Sequence, residues 1–190
     1  MDASPFYPSR NNCIKNSHLA LLGLCLALLL SPLSAFATCQ NWISPPSWIP
    51  DDLNRVVWSG SQLVAVGRSG TIATSPDGIN WTRQTSGTLQ NLWGVAWSGS
   101  QFITVGSNGT ILTSADGITW IAQISGTTSE LLGIVWSGSQ FVAVGRGGTI
   151  RTSPNGIAWT AQTSGTTGTF NSIAWSGNLF VAVGSYTVYE

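Results

Sequence analysis

The sequence predicts an all-β fold, a β-propeller of four-stranded antiparallel blades, and three observations carry this prediction. A Trp and a Gly each recur every 39 residues, and a seven-residue turn sequence occurs three times. Short apolar runs lie between these positions, separated by turns rich in Gly and Ser. A fixed period near 40 residues with this punctuation is typical of propeller blades or solenoid units. The periodic residues are Trp58, Trp97, Trp136, Trp175, Gly67, Gly106, Gly145 and Gly184.

Residues 1–37 have the features of a secretory signal peptide. Basic residues precede a long uncharged stretch, which ends in an Ala-x-Ala sequence at residues 35–37. We predict cleavage before Thr38 and therefore a secreted or periplasmic protein. The alternative is an uncleaved membrane anchor over residues 19–37, a stretch just long enough to span a bilayer.

The composition of residues 38–190 argues against several classes of function. This part has five Arg against six Asp and Glu, and it has no Lys and no His. Nucleic acids and, after cleavage, membrane surfaces are therefore poor partners. Without His there is no Ser-His-Asp arrangement and no imidazole ligand, so we expect no metal and no cofactor. Cys39 is the one Cys in this part of the chain. We favour a free thiol at this position, and the alternative is a disulfide bond to another chain.

The segment before the first full repeat sets the phase of the repeats. Trp42 lies 39 residues before Trp81, so residues 38–52 take the place of a fourth strand, and Trp48 is expected to pack this segment. Complete repeats and one partial repeat follow. Their predicted bounds are 53–88, 89–127, 128–166 and 167–190.

Each complete repeat is predicted to contain four strands. The second strand is apolar on both faces, as expected for a strand between neighbouring blades, whereas the fourth is more polar, as expected for an outer edge. In the third repeat the predicted strands are Leu132–Trp136, Gln140–Val144, Thr149–Thr152 and Ala158–Thr163.

Three complete blades and one composite or truncated blade leave two architectures open. Residues 39–46 could pair with residues 188–190 and close a ring of four blades, since propellers commonly complete one blade from both termini. The chain could instead form an open arc of a larger propeller. A β-trefoil also has repeats of this length, but it closes with three units, and four first-strand tryptophans occur here.

The turn sequence that occurs three times is expected to be structural. A Ser opens it, an Asp or Asn stands two residues on, a Gly follows and a Trp closes it. The short polar side chain accepts hydrogen bonds from backbone N–H groups, and the Gly takes the left-handed conformation. We expect these and the other periodic tryptophans to be core residues. The residues of these Trp-closed turns are Ser75, Asp77, Gly78, Trp81, Ser114, Asp116, Gly117, Trp120, Ser153, Asn155, Gly156 and Trp159.

The Trp-closed turn resembles the Asp box of bacterial neuraminidases and related propellers, usually written Ser-x-Asp-x-Gly-x-x-Trp. Here the Asp is directly followed by Gly, which is similar to the shorter boxes of the photosystem II stability and assembly factor family. The resemblance covers residues 42–190 and implies the propeller fold. The assembly-factor resemblance also implies protein partners.

A neuraminidase-like activity would require three Arg on a substrate carboxylate, a Tyr paired with a Glu, and an acidic Asp. The only Tyr residues after the leader, Tyr186 and Tyr189, both lie within five residues of Glu190, and the Asp residues of the Trp-closed turns serve those turns. We therefore assign no catalytic residue.

Successive turns of a four-stranded meander alternate between two rims. The Trp-closed turns lie on a rim that hardly varies between the copies, the constant rim, whereas the opposite or variable rim differs from copy to copy. Sequence variation in the loops of a rigid scaffold is typical of a binding face, although surface turns whose sequence is weakly constrained also vary. Trp93 is the candidate platform for a carbohydrate or a peptide. The candidate binding residues are Arg55, Arg68, Asn91, Trp93, Asn108 and Arg146.

The sequence thus predicts a non-enzymatic, secreted or periplasmic scaffold that binds a protein or a carbohydrate through the variable rim. The alternative is a truncated or remnant propeller of the glycosidase or sialidase type that retains carbohydrate binding.

Overall fold

The computed structural model describes residues 52–185, which form fourteen β-strands in antiparallel sheets. Three sheets have four strands and one has two. Within this part of the chain, no helix has the length and apolar character needed to cross a membrane. Several predictions lie outside the described residues: the leader and its cleavage before Thr38, the anchor over 19–37, Cys39, Trp42, Trp48, and the pairing of 39–46 with 188–190.

Consecutive strands are antiparallel neighbours within each sheet, and we number the sheets as blades 1 to 4 in chain order. Blade 1 comprises β1 (Leu53–Trp58), β2 (Leu63–Gly67), β3 (Ile72–Ser75) and β4 (Thr82–Gln84). Blade 2 comprises β5 (Leu92–Trp97), β6 (Phe102–Gly106), β7 (Ile111–Ser114) and β8 (Ile121–Gln123). Blade 3 comprises β9 (Leu131–Trp136), β10 (Phe141–Gly145), β11 (Ile150–Ser153) and β12 (Thr160–Gln162). Blade 4 comprises β13 (Thr169–Trp175) and β14 (Phe180–Ser185).

These sheets confirm the predicted blades, and they exclude the trefoil because each repeat forms a sheet of its own. The outer strand is shorter than predicted, since β12 begins at Thr160 rather than Ala158. The backbone N–H of Ala158 donates to Oδ1 of Asn155 over 3.1 Å. The indole N–H of Trp159 donates to the carbonyl of Gly156 over 2.9 Å. Both residues therefore complete the preceding turn instead of starting the strand.

The blades stand side by side along an arc, and the first strand of each blade packs on the first strand of the next. β1 packs on β5, β5 on β9, and β9 on β13. The second strands lie between neighbouring blades, and β6 and β10 are buried along their whole length. This confirms the prediction that an apolar run without alternation is covered on both faces.

We call the face of a blade on the side of the next blade in the chain its leading face, and the face on the side of the preceding blade its trailing face. Two apolar clusters join these faces, one between blades 1 and 2 and one between blades 2 and 3. The two interfaces use the same repeat positions. The leading faces contribute Val64, Val66 and Ile72 (blade 1) and Ile103, Val105 and Ile111 (blade 2); the trailing faces contribute Leu92 and Phe102 (blade 2) and Leu131 and Phe141 (blade 3).

The periodic tryptophans of the first strands differ in burial. Trp97 packs on Phe102 and Trp136 on Phe141, with ring centroids 4.2 and 4.4 Å apart. Trp58, at the same repeat position, is 51% exposed. The prediction of a core residue is wrong for Trp58, because it lies on the trailing face of blade 1, and no blade precedes it among residues 52–185.

Candidate binding rim

The variable rim carries the turn between the second and third strands of blades 1 to 3. Its middle residue has left-handed dihedrals, with φ of 52° at Ser69 and 59° at Asn108. Asn tolerates this region because its short polar side chain can bond locally. Arg68, Asn108 and Arg146 are exposed on these turns. Each is a single 3-10 turn, and the three are Arg68–Gly70, Ser107–Gly109 and Arg146–Gly148.

In blades 1 to 3, the residue immediately before the first strand, which we call the lead-in residue, holds the turn of its own blade. The lead-in residues are Asp52, Asn91 and Glu130, and their carbonyls accept backbone N–H groups over 2.8 to 2.9 Å. The donors are Arg68, Ser107 and Arg146.

This contact explains the periodic Gly at the end of each second strand. A Cβ on Gly106 would lie 2.2 Å from the carbonyl oxygen of Asn91, and one on Gly145 would lie 1.8 Å from that of Glu130. No side chain fits such a space, so the period of 39 includes a Gly for steric reasons.

The side chains of the lead-in residues add a second set of contacts. Asp52 forms an ion pair with Arg68 over 3.3 Å, and Glu130 forms one with Arg146. Oδ1 of Asn91 accepts the backbone N–H of Ser69 over 3.0 Å, which connects blade 2 to the turn of blade 1.

Glu130 connects blade 3 to blade 2 in the same direction. The hydroxyl of Ser107 donates to Oε1 of Glu130 over 3.0 Å, and the indole N–H of Trp93 donates to Oγ of Ser107 over 3.0 Å. With the Glu130–Arg146 ion pair, these hydrogen bonds make a chain of three polar contacts that joins four side chains across two blades. We call Trp93, Ser107, Glu130 and Arg146 the rim network.

A β-bulge interrupts the start of every first strand, next to the variable rim. The register shifts leave one residue of each first strand without a partner on the second strand. A bulge redirects a side chain without disturbing the rest of the sheet. Different side chains therefore occupy this position in the four blades, while the backbone conformation stays the same. The bulge residues are Asn54, Trp93, Leu132 and Asn171.

The structure places the candidate residues on the variable rim but brings only some of them together. Trp93 and Arg146 belong to the rim network, and Asn91 bonds to the turn that carries Arg68. Asn108 is exposed on its turn without a described side-chain contact. Arg55 lies one position past the bulge of β1 and donates from its guanidinium to the carbonyl of Asn54 over 3.0 Å.

Sequence reasoning did not identify Asp52, Ser107 or Glu130 as parts of the site. The missing signal was periodic, because residues 52, 91 and 130 are spaced 39 apart and all three side chains can accept hydrogen bonds. The three residues differ in type, so a comparison that looks for identical residues in the repeats does not detect this position.

On the constant rim, the polar side chain of each Trp-closed turn is occupied by its own backbone. Oδ1 of Asp116 accepts the N–H groups of Ile118 and Thr119, both over 2.8 Å. In the third copy, Oδ1 of Asn155 accepts the equivalent groups over 3.0 and 3.1 Å. The shorter distances at Asp116 agree with a charge-assisted hydrogen bond.

These contacts keep the turn carboxylates ionised. The backbone N–H groups of Thr119 and Ile118 and the hydroxyl of Ser114 lower the pKa of Asp116 to about 2. The backbone N–H groups of Asn80 and Ile79 hold the pKa of Asp77 well below its usual range. A carboxylate with a lowered pKa and a filled acceptor shell is a poor proton donor, so these turns hold the fold but cannot act as general acids.

The constant rim also ties the blades together. Nε2 of Gln62 in blade 1 donates to the carbonyl of Asp116 in blade 2 over 2.7 Å. Nε2 of Gln101 in blade 2 donates to the carbonyl of Asn155 in blade 3 over 2.9 Å. Each Gln thus bonds the Trp-closed turn of the following blade. Within residues 52–185, no group of three or more His, Cys, Asp or Glu side chains could hold a metal ion.

No family model and no curated protein matches the sequence. Solved structures do match. A structure described as YCF48 bound to D1 peptide superimposes with a TM-score of 0.61 and 19% identity, over 71% of this chain and 47% of that chain. YCF48 from Cyanidioschyzon merolae superimposes with a TM-score of 0.60 and 20% identity, over 71% of this chain and 51% of that chain.

This chain therefore spans about half the length of those structures, 47% and 51%. Structural matches at these low sequence identities establish the fold alone. The chain is a β-propeller of four-stranded antiparallel blades, similar in fold to YCF48.

Proposed function

We propose that this chain is a non-enzymatic, secreted or periplasmic scaffold that binds a protein partner through its variable rim. The rim network carries the proposal. It presents an indole, a hydroxyl, a carboxylate and a guanidinium from two adjacent blades, already held in place by mutual hydrogen bonds. Side chains ordered before binding lose little entropy when a partner arrives.

The exposed guanidinium groups give the rim its recognition chemistry. Arg68 and Arg146 both remain largely exposed although each is paired with a carboxylate. Exposed ion pairs contribute little to stability, so a carboxylate or carbonyl of a partner can compete for the Arg at low cost. Arg is also enriched at protein interfaces. The partner predicted from this chemistry is a peptide or a protein surface with acidic or backbone acceptor groups.

The structural neighbours support the class of partner. One of them is described as YCF48 bound to D1 peptide, so a propeller of similar fold binds a peptide. Carbohydrate binding has less support, because Trp93 is half-buried and its indole N–H is already bonded to Ser107.

The state of the carboxylates supports a non-enzymatic role. Asp52 and Glu130 are paired with Arg, and Asp77 and Asp116 are occupied by backbone donors. Glycoside hydrolysis requires a carboxylic acid with a raised pKa near an ionised partner. A panel of fluorogenic sialosides and glycosides should accordingly show no turnover above that of buffer; measurable hydrolysis would contradict the proposal.

Site-specific photo-crosslinking in the native cell tests the binding rim. A photoreactive amino acid at Leu89, exposed in the link that precedes Asn91, should yield one adduct of defined mass. The matched control is Ile79, also exposed and in the same blade, but on the constant rim. Glu130→Gln, which breaks the ion pair with Arg146, should weaken the adduct formed from position 89.

If position 89 yields no protein adduct, or if positions 79 and 89 yield the same adducts, the variable rim is not the binding face.

A further inference from the structure

Between blades 1 and 2 and between blades 2 and 3, a leading face packs on a trailing face through the same repeat positions. The leading face of blade 3 is buried in the same manner, since Val142 is 4% and Val144 0% exposed, next to β13 of blade 4. The chain thus makes one type of interface three times.

The first and last blades each expose one half of that interface. On the trailing face of blade 1, Leu53 is 37%, Val56 57% and Trp58 51% exposed, whereas Leu92 and Leu131, the repeat equivalents of Leu53, are both 0% exposed.

On the leading face of blade 4, Val181 is 52% and Val183 59% exposed. Their equivalents in blade 1, Val64 and Val66, are both 0% exposed. The backbone positions are the same, so the difference arises from the neighbouring blade that these faces lack among the described residues. Adjacent apolar side chains that are exposed to water are typical of an interaction surface.

We propose that a second copy of the chain covers both faces. The leading face of blade 4 in each copy packs on the trailing face of blade 1 in the other, and the two arcs close into one ring. The two halves match because the molecule itself joins them between its own blades. Residues 38–190 carry five Arg against six Asp and Glu, so the net charge of each copy is small and repels the other copy only weakly.

The share of a propeller that the chain covers favours two copies. The chain superimposes on 47% and 51% of two propeller chains. A head-to-tail interface produces a closed ring only when its rotation divides a full turn, and otherwise produces a filament. An arc of about half a propeller meets this condition with two copies.

A polar contact is also predicted across each junction. Glu130 pairs with Arg146 in its own blade and accepts a hydrogen bond from Ser107 in the preceding blade. Asp52 is the repeat equivalent of Glu130 and pairs with Arg68 in its own blade. Ser185, at the end of β14, is the repeat equivalent of Ser107. In the ring, Ser185 of one copy therefore donates to Asp52 of the other.

Sedimentation equilibrium of the purified protein tests this arrangement, with the chain mass taken from intact mass spectrometry. The expected particle contains two chains. A particle of one chain would mean that residues outside the described range cover the end faces, or that nothing does. Polymers of indefinite length would mean that the ring does not close. Either result overturns the proposal.

Three Asp substitutions with matched exposure locate the interface. Val56→Asp and Val183→Asp place a charge on the two end faces, and Ile157→Asp places one on a Trp-closed turn; the side chains are 57%, 59% and 58% exposed. The two end-face variants should be single chains with folded circular dichroism spectra, while Ile157→Asp should remain a pair. End-face variants that stay paired would overturn the proposal.

Mixing the two end-face variants separates a head-to-tail contact from a symmetric one. Val56→Asp retains an intact leading face on blade 4, and Val183→Asp retains an intact trailing face on blade 1. The mixture should therefore form pairs held by one junction, although neither variant pairs alone. If the mixture contains only single chains, the leading and trailing faces do not bind each other and the proposal fails.

Discussion

At the scale of single residues, this protein depends on close approach of backbone groups. Gly145 allows the carbonyl of Glu130 to reach the N–H of Arg146 over 2.9 Å. That contact orients both partners of an ion pair on the rim. The absence of a side chain at Gly145 therefore allows the charged side chains of Glu130 and Arg146 to be positioned.

Gly145→Ala should lower the free energy of unfolding by about 3 kcal/mol, because the added Cβ requires a backbone shift in a packed region. The clash is with a carbonyl oxygen at 1.8 Å, which cannot rotate away. The control is Gly147→Asn, two residues on, where nothing lies within 4 Å and φ is 66°. Since Asn108 adopts φ of 59° at the same repeat position, this variant should be nearly neutral. Urea unfolding checks both, and equal effects would refute the steric explanation.

The turn carboxylates predict a dependence of stability on pH. In the folded state the pKa values of Asp77 and Asp116 lie below the ordinary 3.8. Their ionisation stabilises the fold above that value, and this contribution is lost as the pH falls toward about 2.

The variant with both Asp77→Asn and Asp116→Asn should fold, because Asn155 already forms the same turn in blade 3. Its free energy of unfolding should decrease less than that of the wild type between about pH 5 and about pH 2. Chemical unfolding at a series of pH values gives the comparison. Parallel pH profiles for the two proteins would show that these carboxylates do not contribute.

At the scale of elements, each blade is a meander whose two rims serve different purposes. The constant rim joins neighbouring blades through Gln62 and Gln101 and uses its polar groups internally. On the variable rim, bulges at the start of each first strand allow Asn54, Trp93 and Leu132 to occupy the same position. The same repeat thus produces both the constant rim, which joins the blades, and the variable rim, whose side chains differ between the blades.

Gln101→Ala should lower the free energy of unfolding by about 1 kcal/mol, since the carbonyl of Asn155 loses its donor from blade 2. Gln140→Ala is the matched control. It changes the same turn position in blade 3, but the described part of blade 4 ends at Ser185 and contains no Trp-closed turn. Thermal melting should separate the two variants, and identical melting temperatures would count against the inter-blade role of Gln101.

At the scale of the whole molecule, the leader predicts export of the protein. Cleavage before Thr38 should leave a chain that begins with Thr-Cys-Gln. N-terminal sequencing and intact mass of the protein from the exported fraction measure this directly. Retention of residues 1–37 would favour the alternative anchor over residues 19–37.

The sequence by itself determined the repeat, the four strands of each complete blade and the chemistry of the Trp-closed turns. These features are local: Asp116 bonds to N–H groups two and three residues away, and the apolar run of β10 requires cover on both faces wherever it lies. Only the tertiary structure decided which residues meet across blades. The bond from Ser107 to Glu130 spans 23 residues and depends on how adjacent sheets align. The exposure of Trp58 was likewise beyond the sequence, because the burial of a side chain between blades depends on whether a neighbouring blade is present.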